Sequence, residues 1–171
     1  LNDAYKRLPP GGRNVFNQSI NVTQFTGPFF HLLPFVDNQP LYQASWTGTM
    51  YDPYFAIAGN PNPAPGNFVH SQAVKVYVCP SDFSYGKAPN DPVNWGPLAA
   101  CSFGFNFQVF GVPGSGGTTA AAWNGNTKLG VSITDGTSNT IMLAEKIAIC
   151  NTVIQSNLWA NGSTSLNNSA F

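Results

Sequence analysis

Proline and glycine bound most of the periodic runs in this chain, which confines regular structure to short pieces joined by irregular loops. Residues 1–8 (LNDAYKRL) place apolar side chains at 1, 4, 5 and 8, the spacing of one helical face, before Pro9-Pro10-Gly11-Gly12 stops the run. Two turns are marginal alone, so the spacing predicts the tail of a longer helix that begins upstream. Further on, Asp37 or Asn38 is placed to cap a short helix, with Pro40 in its first turn and Leu41, Tyr42 and Trp46 turned inward. Residues 47–70 carry Asp52-Pro53, Asn60-Pro61, Asn62-Pro63 and Pro65-Gly66, turn chemistry without periodicity, and read as a long surface excursion. Residues 73–79 (AVKVYVC) alternate as a strand does, and Pro80-Ser81-Asp82 ends them. Residues 101–110 alternate again, with Phe103, Phe105, Phe107 and Val109 on one face, and residues 113–117 form a flexible loop. A further strand pair is predicted at 129–133 and 140–148. Past Cys150 the chain is rich in Asn and Ser, with few large apolar residues after Trp159, and reads as a loosely held end.

The 171 residues suit one domain, and 43% hydrophobic content is enough for a core. Charge is the anomaly. Charged residues make up 8% of the chain and the net charge is zero, against roughly a quarter charged in an average soluble domain. Such a surface repels copies of itself weakly and tolerates close packing against them or against other neutral polymers. Lys6, Arg7, Arg13, Lys75, Lys87, Lys128 and Lys146 are scattered, so nucleic acid is not an expected partner. No run of 18 apolar residues and no signal peptide occurs, so any targeting segment is expected upstream of Leu1. Cys79, Cys101 and Cys150 lack the spacing of a zinc or thioredoxin motif. An extracytoplasmic setting would allow one disulfide. A Cys79–Cys101 bond would close a short loop worth about 3 kcal/mol in the chain-entropy account; pairing with Cys150, or three reduced thiols, are the alternatives.

Catalytic chemistry finds little support. The seven carboxylates, Asp3, Asp37, Asp52, Asp82, Asp91, Asp135 and Glu145, include no pair singled out by position, and several precede Pro or Gly as turn-formers do. His31 lies in an aromatic and leucine-rich run and His70 just before a predicted strand, settings typical of hydrogen-bonded structural histidines. No nucleophile elbow or phosphate loop is present. Asp135-Gly136-Thr137-Ser138-Asn139 superficially resembles a calcium loop, but with Asp135 first the glycine falls second and Lys146 stands twelfth, where a bidentate Glu is required. The better reading is structural: Gly136 supplies an unusual backbone angle, Asp135, Ser138 and Asn139 bond locally, and Thr140 leads into a strand. No cofactor or metal is expected. Aromatics are numerous, and Trp46, Tyr54, Tyr85, Trp95 and Trp123 fall in or near loops, where exposed rings would meet sugars or neighbouring subunits.

Four segments, in order, resemble a large planctomycete family of pilin-like proteins of unknown function that carry a prepilin-type N-terminal helix. They are residues 1–11 at the helix exit, residues 30–42 (FHLLPFVDNQPLY), residues 76–82 ending in Cys79-Pro80-Ser81-Asp82, and residues 133–145 around Asp135-Gly136-Thr137-Ser138-Asn139-Thr140. The family's closing His and Asp-Gly element has no counterpart here. The resemblance implies an α+β fold, with the end of a pilin-type helix at 1–8, a β-rich globular head over 9–150 with an antiparallel sheet and long loops, and a loosely ordered segment at 151–171. It further implies a non-catalytic head at the cell surface or outside the cell. Its partners would be copies of itself in a filament, or alternatively a solute or polysaccharide, and it would touch a membrane only through an upstream helix.

Overall fold

The structure, a computed structural model, describes residues 7–14, 25–57, 67–85, 90–91, 96–97, 99–112, 114–115, 120–149 and 157–160. Residues 1–6 of the expected helix, Trp95, Cys150 and most of 151–171 lie outside the described residues. The fold is α+β. Antiparallel pairs join β1 (Arg13–Asn14) to β2 (Phe25–Thr26), β3 (Asn90–Asp91) to β4 (Gly96–Pro97), and β5 (Phe103–Phe105) to β6 (Leu143–Glu145). In the last pair Phe103 lies opposite Glu145 and Phe105 opposite Leu143. Short helices occupy Pro28–Leu32 (α1), Gln39–Ala44 (α2) and Phe107–Phe110 (α3), with 3-10 turns that include Lys75–Tyr77 and Thr137–Asn139.

Local chemistry explains where the helices start. Proline stands in the first turn of both α1 and α2, where its missing N–H costs nothing. Asn106 caps α3 by accepting the Gln108 amide at 2.9 Å. The expected helix after Asn38 is therefore present, with Leu41 and Tyr42 packed against the core, but Trp46 lies beyond its end and is 45% exposed instead of facing inward.

The core is largely aromatic. Phe29, Phe30, Phe105, Trp123 and Trp159 are all buried, and complete burial of a Phe side chain contributes about 2–3 kcal/mol. Phe29 meets Tyr77 at 5.1 Å and Phe105 edge-on at 6.1 Å; Trp123 meets Phe107 at 4.6 Å. The polar ends of these rings find partners: Tyr77 Oη donates to the Phe29 carbonyl at 2.8 Å and Trp159 Nε1 to that of Gln72 at 3.0 Å. The Pro-Gly stretch after residue 8 is buried against this core, with Gly11 N–H donating to Phe110 O and Gly12 N–H to Trp123 O. Gly125 is required by close approach, since a Cβ there would collide with the Phe110 carbonyl oxygen.

Three predicted strands are revised. Val74 and Val78 are extended, but Lys75–Tyr77 between them is a 3-10 turn that carries Tyr77 into the core and leaves Val76 55% exposed. Over residues 101–110 the apolar face is buried as the alternation requires, yet only Phe103–Phe105 is strand, because the Asn106 cap starts a helix beneath Phe107, Val109 and Phe110. Residues 129–133 form turns held by Val131 N–H and Ser132 N–H to Lys128 O, and β6 pairs with β5 instead. Within the end expected to be loose, Asn157–Ala160 is buried: Cys101 N–H donates to Asn157 O at 2.7 Å, and Asn157 Nδ2 donates to the carbonyls of Cys101 and Phe103.

Candidate functional site

The two sequence motifs meet in space through their ends. Pro80 and Ser81 form a turn closed by Asp82 N–H to Cys79 O at 3.0 Å, which swings the Asp82 carboxylate back toward β5 and the chain leaving β6. Oδ1 accepts Ser84 N–H at 3.0 Å and Ser84 Oγ–H at 2.6 Å. Oδ2 accepts Ser102 Oγ–H at 2.7 Å and Ala148 N–H at 2.9 Å. Ser84 Oγ in turn accepts Ile149 N–H at 3.0 Å. One carboxylate thus ties together the loop after Cys79, the start of β5 and the segment after β6.

Beside it lies an open depression of about 240 Å³ bounded by Cys79, Ser81, Asp82, Phe83, Ser102, Glu145, Lys146 and Ile147. The Cys79 thiol points to Glu145 Oε1 at 3.9 Å. Burial raises the Asp82 carboxyl, but the donors Ser84 Oγ, Ser102 Oγ, Ser84 N and Ala148 N outweigh it and hold the group below its ordinary value of 3.8. Asp82 therefore acts as a fixed anionic acceptor and not as a proton donor near neutral pH. Burial depresses the Lys146 ammonium, partly offset by Cys101. Asp52 moves the opposite way from Asp82, because burial outweighs its bond from the Tyr54 amide.

Cys79 and Cys101 are both free, so the structure does not contain the bond between them that was one of the options. Cys101 faces inward and donates to Phe103 O at 3.3 Å; burial, opposed weakly by that contact and by Lys146, pushes its thiol up to about 12. It is an inert core thiol.

The Asp135 motif itself is a surface turn. Gly136 has φ +89°, as the Asp-Gly pair implies, and every residue from 134 to 139 is exposed. Asn139 Nδ2 donates to Asp135 O and Thr140 Oγ1 to Gly136 O, each at 3.0 Å. The local bonds thus run to carbonyls, not to amides, and the side chains of Asp135 and Ser138 lie in solvent. Among the described residues no group of three His, Cys, Asp or Glu is placed to hold a metal ion. His70 is buried between Tyr54 and Phe68, with Nδ1 3.2 Å from Pro53 O, and His31 Nε2 lies 3.0 Å from Thr26 Oγ1.

The loop aromatics divide. Trp123 is buried in the core and offers no contact face, which corrects its reading as a surface ring. Tyr54 and Tyr85 are half-buried. Trp46 is exposed. Sequence reasoning missed Ser84 and Ser102, whose only signal is the short spacing of Ser84 from Asp82.

No curated protein matches the chain, and no solved structure does. One family model, SBP_bac_10, described as "Protein of unknown function (DUF1559)", matches residues 2–167. The chain, with its Asp82 junction and exposed Asp-Gly turn, belongs to the DUF1559 family.

Proposed function

We propose that this chain is the structural, non-catalytic head of a pilin- or pseudopilin-like subunit that assembles with copies of itself at the cell surface. The observation that carries the reading is a set of exposed apolar side chains on β6 and its flanks. Ile141, Leu143 and Ile147 are 65%, 43% and 44% exposed, with the exposed Glu145 between the last two, and Phe83, which lines the same depression as Ile147, is 80% exposed. Exposed apolar side chains grouped on one element favour a protein contact. The low charge of the chain lets like surfaces approach. The motif carboxylate is spent on internal bonds, which agrees with a scaffold role. The resemblance of the four ordered segments to the planctomycete pilin-like proteins points the same way.

Determining the coding sequence upstream of Leu1 tests the proposal. The expected result is a prepilin-type cleavage site followed by about 20 apolar residues, enough for a membrane-spanning or filament-core helix. Continuous polar sequence there would refute it.

A further inference from the structure

β6 presents an open strand edge. Its ladder to β5 runs through alternate residues: Asn106 N–H donates to Met142 O at 2.9 Å, Lys146 N–H donates to Ser102 O at 3.0 Å, and Gly104 faces Ala144 in the same register. Antiparallel pairing directs the N–H and C=O of every second residue at one neighbour and those of the residues between at the other. Leu143 and Glu145, opposite Phe105 and Phe103, therefore turn their main-chain groups away from β5. Both residues are exposed, and among the described residues none bonds to those groups. A row of unpaired donors and acceptors on an edge is a template for another extended backbone.

The edge is complementary to itself. With a second copy's β6 antiparallel beside it and centred on Ala144, Leu143 faces the copy's Glu145 and Glu145 faces the copy's Leu143. Every outward N–H and C=O of the two residues then pairs on both strands. Centring on Glu145 instead would oppose two carboxylates, which is destabilising. Centring on Leu143 would set Glu145 against Ile141, whose carbonyl already accepts Asn106 Nδ2 at 2.9 Å. The Ala144 register leaves the two Glu145 residues on a diagonal, roughly 7–8 Å apart. It also brings Ile141 opposite the copy's Ile147 at each end, and both are exposed apolar side chains. A copy of zero net charge approaches without long-range repulsion.

We infer that β6 pairs antiparallel with the β6 of a second copy of this chain, joining two β5–β6 pairs into one continuous sheet about a two-fold axis at Ala144. The inference rests on the reading of the chain as a self-assembling head and gives that assembly one of its contacts. A two-fold contact closes on itself, so it makes pairs of heads, and a filament would repeat the pair through a second contact. With so few ladder bonds the pair is weak in dilute solution and is favoured where heads are held close together.

The test combines sedimentation velocity of the 171-residue chain, taken to millimolar concentration, with amide hydrogen exchange followed by NMR. A monomer–dimer equilibrium is expected. The Leu143 and Glu145 amides should gain protection as concentration rises, whereas those of Ala144 and Lys146 should be protected throughout. E145P removes a donor that β5 does not use, so it should fold, and its dimer should be weaker by about tenfold or more for the two ladder bonds lost. E145Q relieves the diagonal repulsion and should tighten the dimer. The exchange pattern of the parent decides the matter even where E145P fails to fold. Four results would each overturn the pairing: a chain that stays monomeric at millimolar concentration, a dimer in which the Leu143 and Glu145 amides still exchange freely, a folded E145P that dimerises as the parent does, or protection of those amides only when a valine- and threonine-rich heptapeptide is added. A monomeric chain with an apolar helix encoded upstream would sink this pairing and leave the filament reading standing. A dimer with those amides protected would establish the pairing even if no such helix is encoded.

Discussion

Replacing Asp82 by Asn keeps the shape of the side chain but turns one of its two acceptor oxygens into a donor. That donor would face either Ser84 or the Ser102 hydroxyl and Ala148 amide, which already donate. Hydrogen bonds to a charged group contribute about 1.5–3 kcal/mol each, so D82N should lower unfolding stability by roughly that amount in urea titrations at neutral pH. Because the folded carboxyl lies below 3.8, its contribution is complete above the unfolded value and is lost as pH falls through the folded one. The difference between parent and D82N should therefore shrink on acidification below about pH 4; a constant difference would show that charge is not its source. Gly136→Val tests the other motif. Its Cβ would meet only Asn139 Nδ2 at 3.7 Å, so the expected loss of about 1–3 kcal/mol is backbone strain alone, φ +89° with ψ 137° being a conformation that side chains other than glycine rarely adopt. An unchanged melting temperature would mean that the turn relaxes freely. The positive φ of Gly136 was legible in the Asp-Gly pair, whereas the Asp82 junction was not. Its partners Ser102 and Ala148 lie 20 and 66 residues away, and no local pattern encodes such a meeting.

Between residues 101 and 110 the alternation of Phe103, Phe105, Phe107 and Val109 correctly marks a buried face, but it does not fix the backbone. A strand and a short helix present the same four side chains inward once Asn106 supplies a cap. The same ambiguity covers residues 74–78, where one 3-10 turn takes the place of a strand because Tyr77 reaches the Phe29 carbonyl. Proline at the first turn was a stronger signal, and α2 begins at Pro40's first turn; Asn38 stands at the cap position, but its side chain makes no capping bond and donates instead to Val36 O. Along β6 and its flanks Ile141, Leu143 and Ile147 are exposed, so changing them tests contact rather than core. A Leu143→Ser, Ile147→Ser double variant should melt within a few degrees of the parent and show weaker self-association by sedimentation velocity. A large fall in melting temperature would mean that these side chains serve the fold.

The molecule as a whole is closed by its late residues. Asn157–Ala160 returns to bridge the start of β5, and Trp159 fills the core between Phe30 and Tyr77 at centroid distances of 6.5 and 6.3 Å. Asn-rich, Ser-rich sequence around it hid this role, because burial of one tryptophan outweighs a polar neighbourhood that averages over many residues. W159A should cost about 3–5 kcal/mol, a large share of the 5–15 kcal/mol that usually separates folded from unfolded states, and equilibrium denaturation reads it directly. The proposed packing among copies would draw on the few charges of the chain and on the exposed apolar side chains of β6 and its flanks. The decisive measurement is cryo-electron microscopy of surface appendages from cells that express the full-length protein. The account predicts helically ordered heads with Ile141, Leu143, Ile147 and Phe83 between neighbouring copies. Appendages without this head, or heads dispersed with that row facing solvent, would contradict it.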